Sequence, residues 1–228
     1  MIKILRYTEK PLSLMGEVAS RCWNSKPSPQ IGIDCIESGH GRISEYADVI
    51  VEISDYSARV MREIYTHISG TSRVQSSTRY IDYSEFEYYM PDSILNNPER
   101  LIVYENIMNN IKEGLIQLID LNTPKEDSAN ALPIGYISTM VLKINIRAII
   151  YMAEIRMCTR AYKEYREFMD EFLDVLRSLD QEWNYVIDNH CKPKCVIRGY
   201  CGEKHSCGKM PTKQEVLEGY WKYKELSK

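Results

Sequence analysis

Residues 47–57 read ADVIVEISDYS. Val49, Val51 and Ile53 alternate with Asp48, Glu52 and Ser54, and a period of two puts the aliphatic side chains on one face of a half-buried β-strand. The next stretch, YSARVMREIYTH (56–67), changes period: Val60, Ile64 and His67 recur at helical spacing. Strand running into helix sets the expectation of an α+β fold. Toward the N-terminus, IKILRY reads as a short strand, PLSLMGEVASRCW as a helix with Pro11 in its first turn, NSKPSPQ as a loop, and IGIDCIESGH as a second helix ending near Gly39. Toward the C-terminus, ERLIVYENIMNNIKEGLIQLIDLN is a long amphipathic helix that stops before Pro124. PKEDSANALP is a short helix and YISTMVLKI is extended. Residues 145–180, with no proline or glycine, read as one uninterrupted helix. From His190 the chain turns rich in Cys, Gly, Lys and Pro, an irregular tail. The expected organisation is one domain over residues 1–189 and a Cys-rich tail over 190–228. No internal repeat or low-complexity tract interrupts it.

The 228 residues are 44% hydrophobic and 27% charged, ordinary values for a globular chain with a real core. Net charge is −3, from 29 basic and 32 acidic residues, so there is no global basic field and nucleic acid is a disfavoured partner. No apolar run is long enough to span a bilayer, which argues against a membrane partner. The opening MIKILRYTEK carries charges inside its apolar stretch, so it is not expected to act as a signal peptide, and a cytoplasmic location is expected. In that compartment the seven cysteines are read as thiols rather than disulfides. Cys22, Cys35 and Cys158 are scattered and read as buried thiols; Cys191, Cys195, Cys201 and Cys207 cluster in the tail. Seventeen tyrosines against three phenylalanines favour half-buried and interfacial surfaces, hence an oligomer.

Three stretches carry chemistry. HISGTSRVQSSTRY (67–80) packs hydroxyls and two arginines without an acid, which suits an anion; the plainer reading is a polar turn and edge strand. SGHGRISEY (38–46) places His40 and Glu45 beside Gly39 and Gly41, where a ligand can approach the backbone closely. In the 145–180 segment, about 100° per residue puts Asn145, Arg156, Arg160 and Lys163 within roughly 60° of one another, with Arg147 nearly opposite. That is either a solvated basic stripe or a site for an oxyanion or a pyrimidine carbonyl. Ser77 has no His or Asp at the spacing of a nucleophilic triad. The tail thiols are enough to ligate zinc, but spacings of C-x3-C, C-x5-C and C-x5-C lack the usual C-x2-C knuckles, and no metal is expected.

Taken in order, SGHGRISEY before a strand and helix, then S-x-x-Q-x-S-x-R-Y (72–80), YYMP, ALP, N-x-R (145–147) and IRMCTRAYKEYRE resemble the flavin-dependent thymidylate synthases across residues 19–167. That family carries R-H-R-x-x-S-x-N-E-x-S-x-R-Y, an upstream His-x-x-x-x-Glu, and a downstream helix of the form N-x-R…L-R…A-Q-x-E-I-R. Ser72, Ser77, Arg79 and Tyr80 match; Gln75 stands for the family's Glu, Val74 for its Asn, and His67, Ile68 and Ser69 fill the R-H-R positions. Ala129 replaces an arginine. The resemblance implies a central sheet flanked by long helices. It implies reductive methylation of dUMP to dTMP, with methylenetetrahydrofolate as carbon donor, FAD as hydride carrier and NADPH as its reductant. It also implies a homotetramer with sites shared between chains. By the same resemblance Gln75, Ser77, Thr78, Arg79, Tyr80 and Arg156 bind dUMP, with Arg156 the catalytic cation. His40, Glu45, His67, Ser69, Asn145, Arg147 and Arg160 line FAD. The altered R-H-R segment leaves open a related flavoenzyme making another 5-substituted pyrimidine nucleotide. A noncatalytic metal- or nucleic-acid-binding module is the third reading.

Overall fold

The first strand, β1 (Ile2–Tyr7), leads to helices α1 (Pro11–Trp23) and α2 (Pro29–Glu37), and a 3-10 turn at Ile43–Glu45 enters β2 (Asp48–Ser57). Then come α3 (Ala58–Ile64), β3 (Thr71–Gln75), α4 (Asp92–Leu95), α5 (Pro98–Asp120), α6 (Lys125–Ser128) and β4 (Ile137–Asn145). Helices α7 (Ile146–Arg156), α8 (Lys163–Arg177), α9 (Gln181–His190), α10 (Lys194–Arg198) and α11 (Lys213–Leu226) complete the chain. This computed structural model describes residues 1–226, with side chains through residue 219. The strands form one antiparallel sheet in the order β1-β2-β4-β3, and the fold is α+β as expected.

The alternation that opened the sequence is realised in β2, where Val49, Val51 and Ile53 are fully buried and the residues between them are only partly so. Strand β4 repeats the pattern with Met140, Leu142 and Ile144. Within 67–80, Thr71–Gln75 is β3, an edge strand on β4, as the plainer reading had it. One expectation changes. The helix expected across 145–180 breaks after Arg156 and restarts at Lys163. No proline or glycine causes the break. The Arg166 guanidinium donates to the Thr159 and Ala161 carbonyls at 2.6 and 2.7 Å, supplying the turn with partners that a continuous helix would have given. Arg160 and Lys163 therefore do not share α7's angular frame. Arg147 and Arg156, both within α7, still point to opposite sides of it.

The chain forms two compact units, Met1–Leu5 with Ile50–Lys143, and Arg6–Val49 with Ile144–Lys228. In the first, Phe86, Met108, Leu115 and Tyr136 make a buried cluster under α5, edged by Tyr83, Tyr88 and Tyr104. Tyr83 meets Tyr136 edge-on at 5.2 Å and Tyr88 meets Tyr104 at 5.8 Å, so much of the tyrosine excess is internal packing. In the second, α8 buries Tyr165, Phe168, Met169, Phe172, Leu173 and Leu176 along one stripe. Trp183 of α9 is fully buried and its indole N–H donates to the Thr8 carbonyl at 2.9 Å. Glu182 accepts from the Ser13 backbone N–H at 2.8 Å and from its hydroxyl, capping the open end of α1. Helices α1 and α2 cross at glycines: a Cβ on Gly16 would lie 1.9 Å from the Ser28 carbonyl oxygen.

Candidate functional site

In the second unit, residues far apart in sequence meet at one groove. The 3-10 turn before β2 presents Glu45, and the first turn of α7 presents Arg147. Arg147 Nη1 donates to Glu45 Oε1 at 2.5 Å across 102 residues of sequence. Both side chains are about half exposed (58% and 44%), so the pair orients the guanidinium more than it stabilises the fold. A Cβ on Gly41 would come within 3.1 Å of Arg147 Nε, so glycine leaves the arginine its room. One side of Arg147 faces a cavity of about 600 Å³ bordered by Gly39, Gly41, Ser44, Tyr151 and His190. Arg147 also borders an open pocket of about 410 Å³ lined by His40, Gly41 and Arg42. His190 Nε2 is buried without a hydrogen-bond partner among the described residues, and burial pushes its pKa below the ordinary value. Asn145 is the N-cap of α7, its Oδ1 accepting from the Ala148 N–H at 3.0 Å.

At the other end of α7, Arg156 lies over the ring of the buried Tyr165, 4.7 Å from its centroid, a cation–π contact that fixes the guanidinium. Arg156 and Arg160 border a second cavity of about 400 Å³, closed on its far side by tail residues including Cys195, Arg198 and Cys207. Arg160 pairs with Glu203 of the tail at 3.4 Å. The tail thiols differ sharply. Burial pushes Cys191 up to about 12, while the exposed Cys207 is lowered, chiefly by a hydrogen bond with Thr159.

The first unit carries the other predicted residues. His67 is buried at the turn after α3, its carbonyl accepting from Thr71 Oγ1 and Arg73 Nη1, both at 2.6 Å; Ser69 is exposed. Gln75 donates to Ser138 Oγ at 3.0 Å, and Ser76 extends the β3–β4 ladder through Thr139. Beyond the ladder the chain turns. Ser77 Oγ accepts from the Arg79 N–H at 3.2 Å, Thr78 is half-buried, and Tyr80 is 73% exposed. Arg79 pairs with Glu126 at 2.8 Å, both side chains more than half exposed. The edge strand and the exposed hydroxyl–arginine turn are thus both present, in succession. Sequence reading missed Glu126, Tyr165, Glu203 and His190; no motif spacing links them to the arginines they attend. Tyr165 alone had a signal, the amphipathic period of α8.

The geometry can be set against known proteins. Residues 3–180 match the family model described as thymidylate synthase complementing protein. The chain is 28% identical to the flavin-dependent thymidylate synthase of Nitratidesulfovibrio vulgaris, an alignment covering 94% of this chain and 97% of the relative. It is 25% identical to that of Thermococcus kodakarensis, over 89% of each. Among solved structures, thymidylate synthase X from Helicobacter pylori, crystallised with FAD and dUMP, superposes with a TM-score of 0.68 at 19% identity, covering 84% of this chain and 99% of that one. The match over 3–180 takes in the Glu45–Arg147 pair, the 77–80 turn and Arg156 alike, and the chain belongs to the thymidylate synthase complementing protein family.

Proposed function

We propose that this protein is a flavin-dependent thymidylate synthase that converts dUMP to dTMP, with methylenetetrahydrofolate as carbon donor and NADPH as the source of reducing equivalents. The observation that carries the reading is the meeting of Gly41, Glu45 and Arg147 at a groove beside His40, within a chain whose relatives bear that name. The groove fits FAD by its own chemistry. Its volume lies in the range of ligand pockets, two glycines let the backbone approach, a cation is held in place, and the His190 Nε2 group is buried in want of a partner. His40, Glu45, Asn145 and Arg147 hold the cofactor, with His67, Ser69 and Arg160 as further contacts. Bound FAD supplies the hydride chemistry, which the protein's side chains cannot.

The chain's own residues bind and polarise the nucleotide. Arg79 and Ser77 take the phosphate, with Gln75, Thr78 and Tyr80 alongside. The Arg79–Glu126 pair, being exposed, is weak enough for a phosphate to displace the carboxylate. Arg156, held over Tyr165, stabilises negative charge as it develops on the pyrimidine ring. The chain assembles as a homotetramer in the cytoplasm. Two features support self-association: Arg147 and Arg156 serve opposite sides of α7, and α5 exposes Ile102, Val103 and Ile107. Titration of the purified protein with FAD, followed by dUMP, tests the reading. Bound flavin with a dUMP-dependent spectral change is expected, and no flavin uptake at micromolar FAD would overturn it.

A further inference from the structure

Residues 67–69 are His, Ile and Ser, so the turn after α3 has no arginine or lysine of its own. A cation reaches it from β3. Arg73 Nη1 donates to the His67 carbonyl and to Thr71 Oγ1, both at 2.6 Å. The guanidinium carbon also lies 4.7 Å from the centroid of the Tyr65 ring, at the end of α3. Three neighbours thus fix the group, and none of them is an acid. Among the described residues no carboxylate pairs with Arg73, and its Nε and Nη2 make no hydrogen bond. Arg79, Arg147 and Arg160, by contrast, each meet a carboxylate.

The strand's period of two puts Thr71, Arg73 and Gln75 on the less exposed face of β3, with Ser72 and Val74 on the other. Arg73 therefore shares a face with Gln75, given above to the nucleotide, and bonds to His67, given above to FAD. The plainer role is a tie that closes the 67–71 turn, but Nη1 alone makes that tie. A half-buried cation held by neutral groups keeps a charge that an anion can answer. Two of its three nitrogens are left over, and the planar fork of an arginine matches phosphate oxygens with little freedom left to lose.

We propose that Arg73 binds a ligand phosphate, the diphosphate of FAD or the phosphate of dUMP, and supplies the positive charge that residues 67–69 lack. The inference rests on the flavin-dependent reading. Its test is equilibrium binding to wild type, Arg73→Gln and Arg73→Lys, each checked for native circular dichroism. FAD is titrated first, then dUMP and deoxyuridine at saturating FAD. Arg73→Gln is expected to weaken FAD or dUMP about ten- to hundredfold, the worth of a hydrogen bond to a charged group. The ligand that weakens identifies the phosphate. Deoxyuridine, which lacks one, is expected to bind as to wild type, and Arg73→Lys, which keeps the charge, to recover part of the loss. Unchanged affinity for both FAD and dUMP, an equal loss for deoxyuridine, or a lysine variant as weak as the glutamine one overturns the proposal. Phenylglyoxal labelling of the wild-type protein, mapped by mass spectrometry, covers a variant that does not fold. Arg73 is expected to be labelled without ligand and protected by FAD or dUMP; no labelling, or labelling that neither slows, overturns the proposal. A wild-type protein that takes up no flavin defeats the enzymatic reading instead, which keeps the two failures apart.

Discussion

Arg79 and Arg156 are each held by a neighbour, but by different chemistry, and that separates their expected phenotypes. Arg79 sits against a carboxylate in water, so Glu126→Gln should free it and lower the KM for dUMP by roughly two- to fivefold, the range of an exposed ion pair. Arg79→Ala should raise that KM, and Ser77→Ala should cost ~1.5–3 kcal/mol at most while leaving turnover measurable. Arg156 rests on an aromatic ring that cannot compete for a pyrimidine oxygen. Arg156→Ala should slow single-turnover flavin oxidation even at saturating dUMP; an unchanged saturated rate would remove it from the chemistry. Stopped-flow over a range of dUMP reads all of these. His190 adds a pH dependence. Its folded pKa is depressed by burial, so the unfolded chain takes up the proton first as pH falls below about 6.5. Stability is therefore full above that value and declines on the acid side. In flavin-free protein, melting curves from pH 8 to 5 should show a shallower acid decline for His190→Leu than for wild type. Parallel curves would mean that burial at His190 is not felt. Among these residues, Arg79 and Arg156 were candidates from motif order. Glu126, Tyr165 and His190 were not, because partners brought together by tertiary packing leave no spacing in the chain.

At the scale of elements, regular period was easy to read and irregular satisfaction was not. β2 alternates in sequence as it does in burial, and β4 and α5 fall where an extended stretch and a long amphipathic helix were read. The break between α7 and α8 carried no breaker residue; the open turn is held by one guanidinium bonded to two of its carbonyls. Arg166→Ala should lower stability by about 1.5–3 kcal/mol, the worth of a hydrogen bond to a charged group, read as a fall in Tm. An unchanged Tm would mean that the turn needs no such support. The α1–α2 crossing makes a sharper case. Gly16→Ala puts a methyl 1.9 Å from a backbone oxygen, and the helices must move apart. A drop in melting temperature larger than that of Gly114→Ala, where the added methyl meets nothing within 4 Å, is expected. β3 was legible only as the plainer of two readings: Thr71, Ser72, Arg73, Val74 and Gln75 lack the aliphatic alternation that marks a strand with a buried face.

At the scale of the whole molecule, α5 offers the readiest test of assembly. Replacing Ile102 and Val103 by glutamate on its exposed face should dissociate the proposed tetramer, seen as a fall in mass by light scattering, and should lower flavin affinity if sites are shared. A tetramer of undiminished mass would exclude that face from the interface. The fold class was legible because strand and helix periods both declare themselves locally. The division of the chain was not, because it depends on which distant segments meet. The second unit is drawn from both sides of the first, Arg6–Val49 before it and Ile144 onward after it. On the ribosome, α1 and α2 therefore emerge roughly 140 residues ahead of α9, a wait of about 7–30 s at ordinary translation speeds. Until α9 arrives, Thr8 lacks the indole of Trp183 and Ser13 lacks the carboxylate of Glu182. The nascent α1–α2 hairpin must spend that interval with its apolar face uncovered, making it the segment of the newborn chain on which a holdase chaperone should be found.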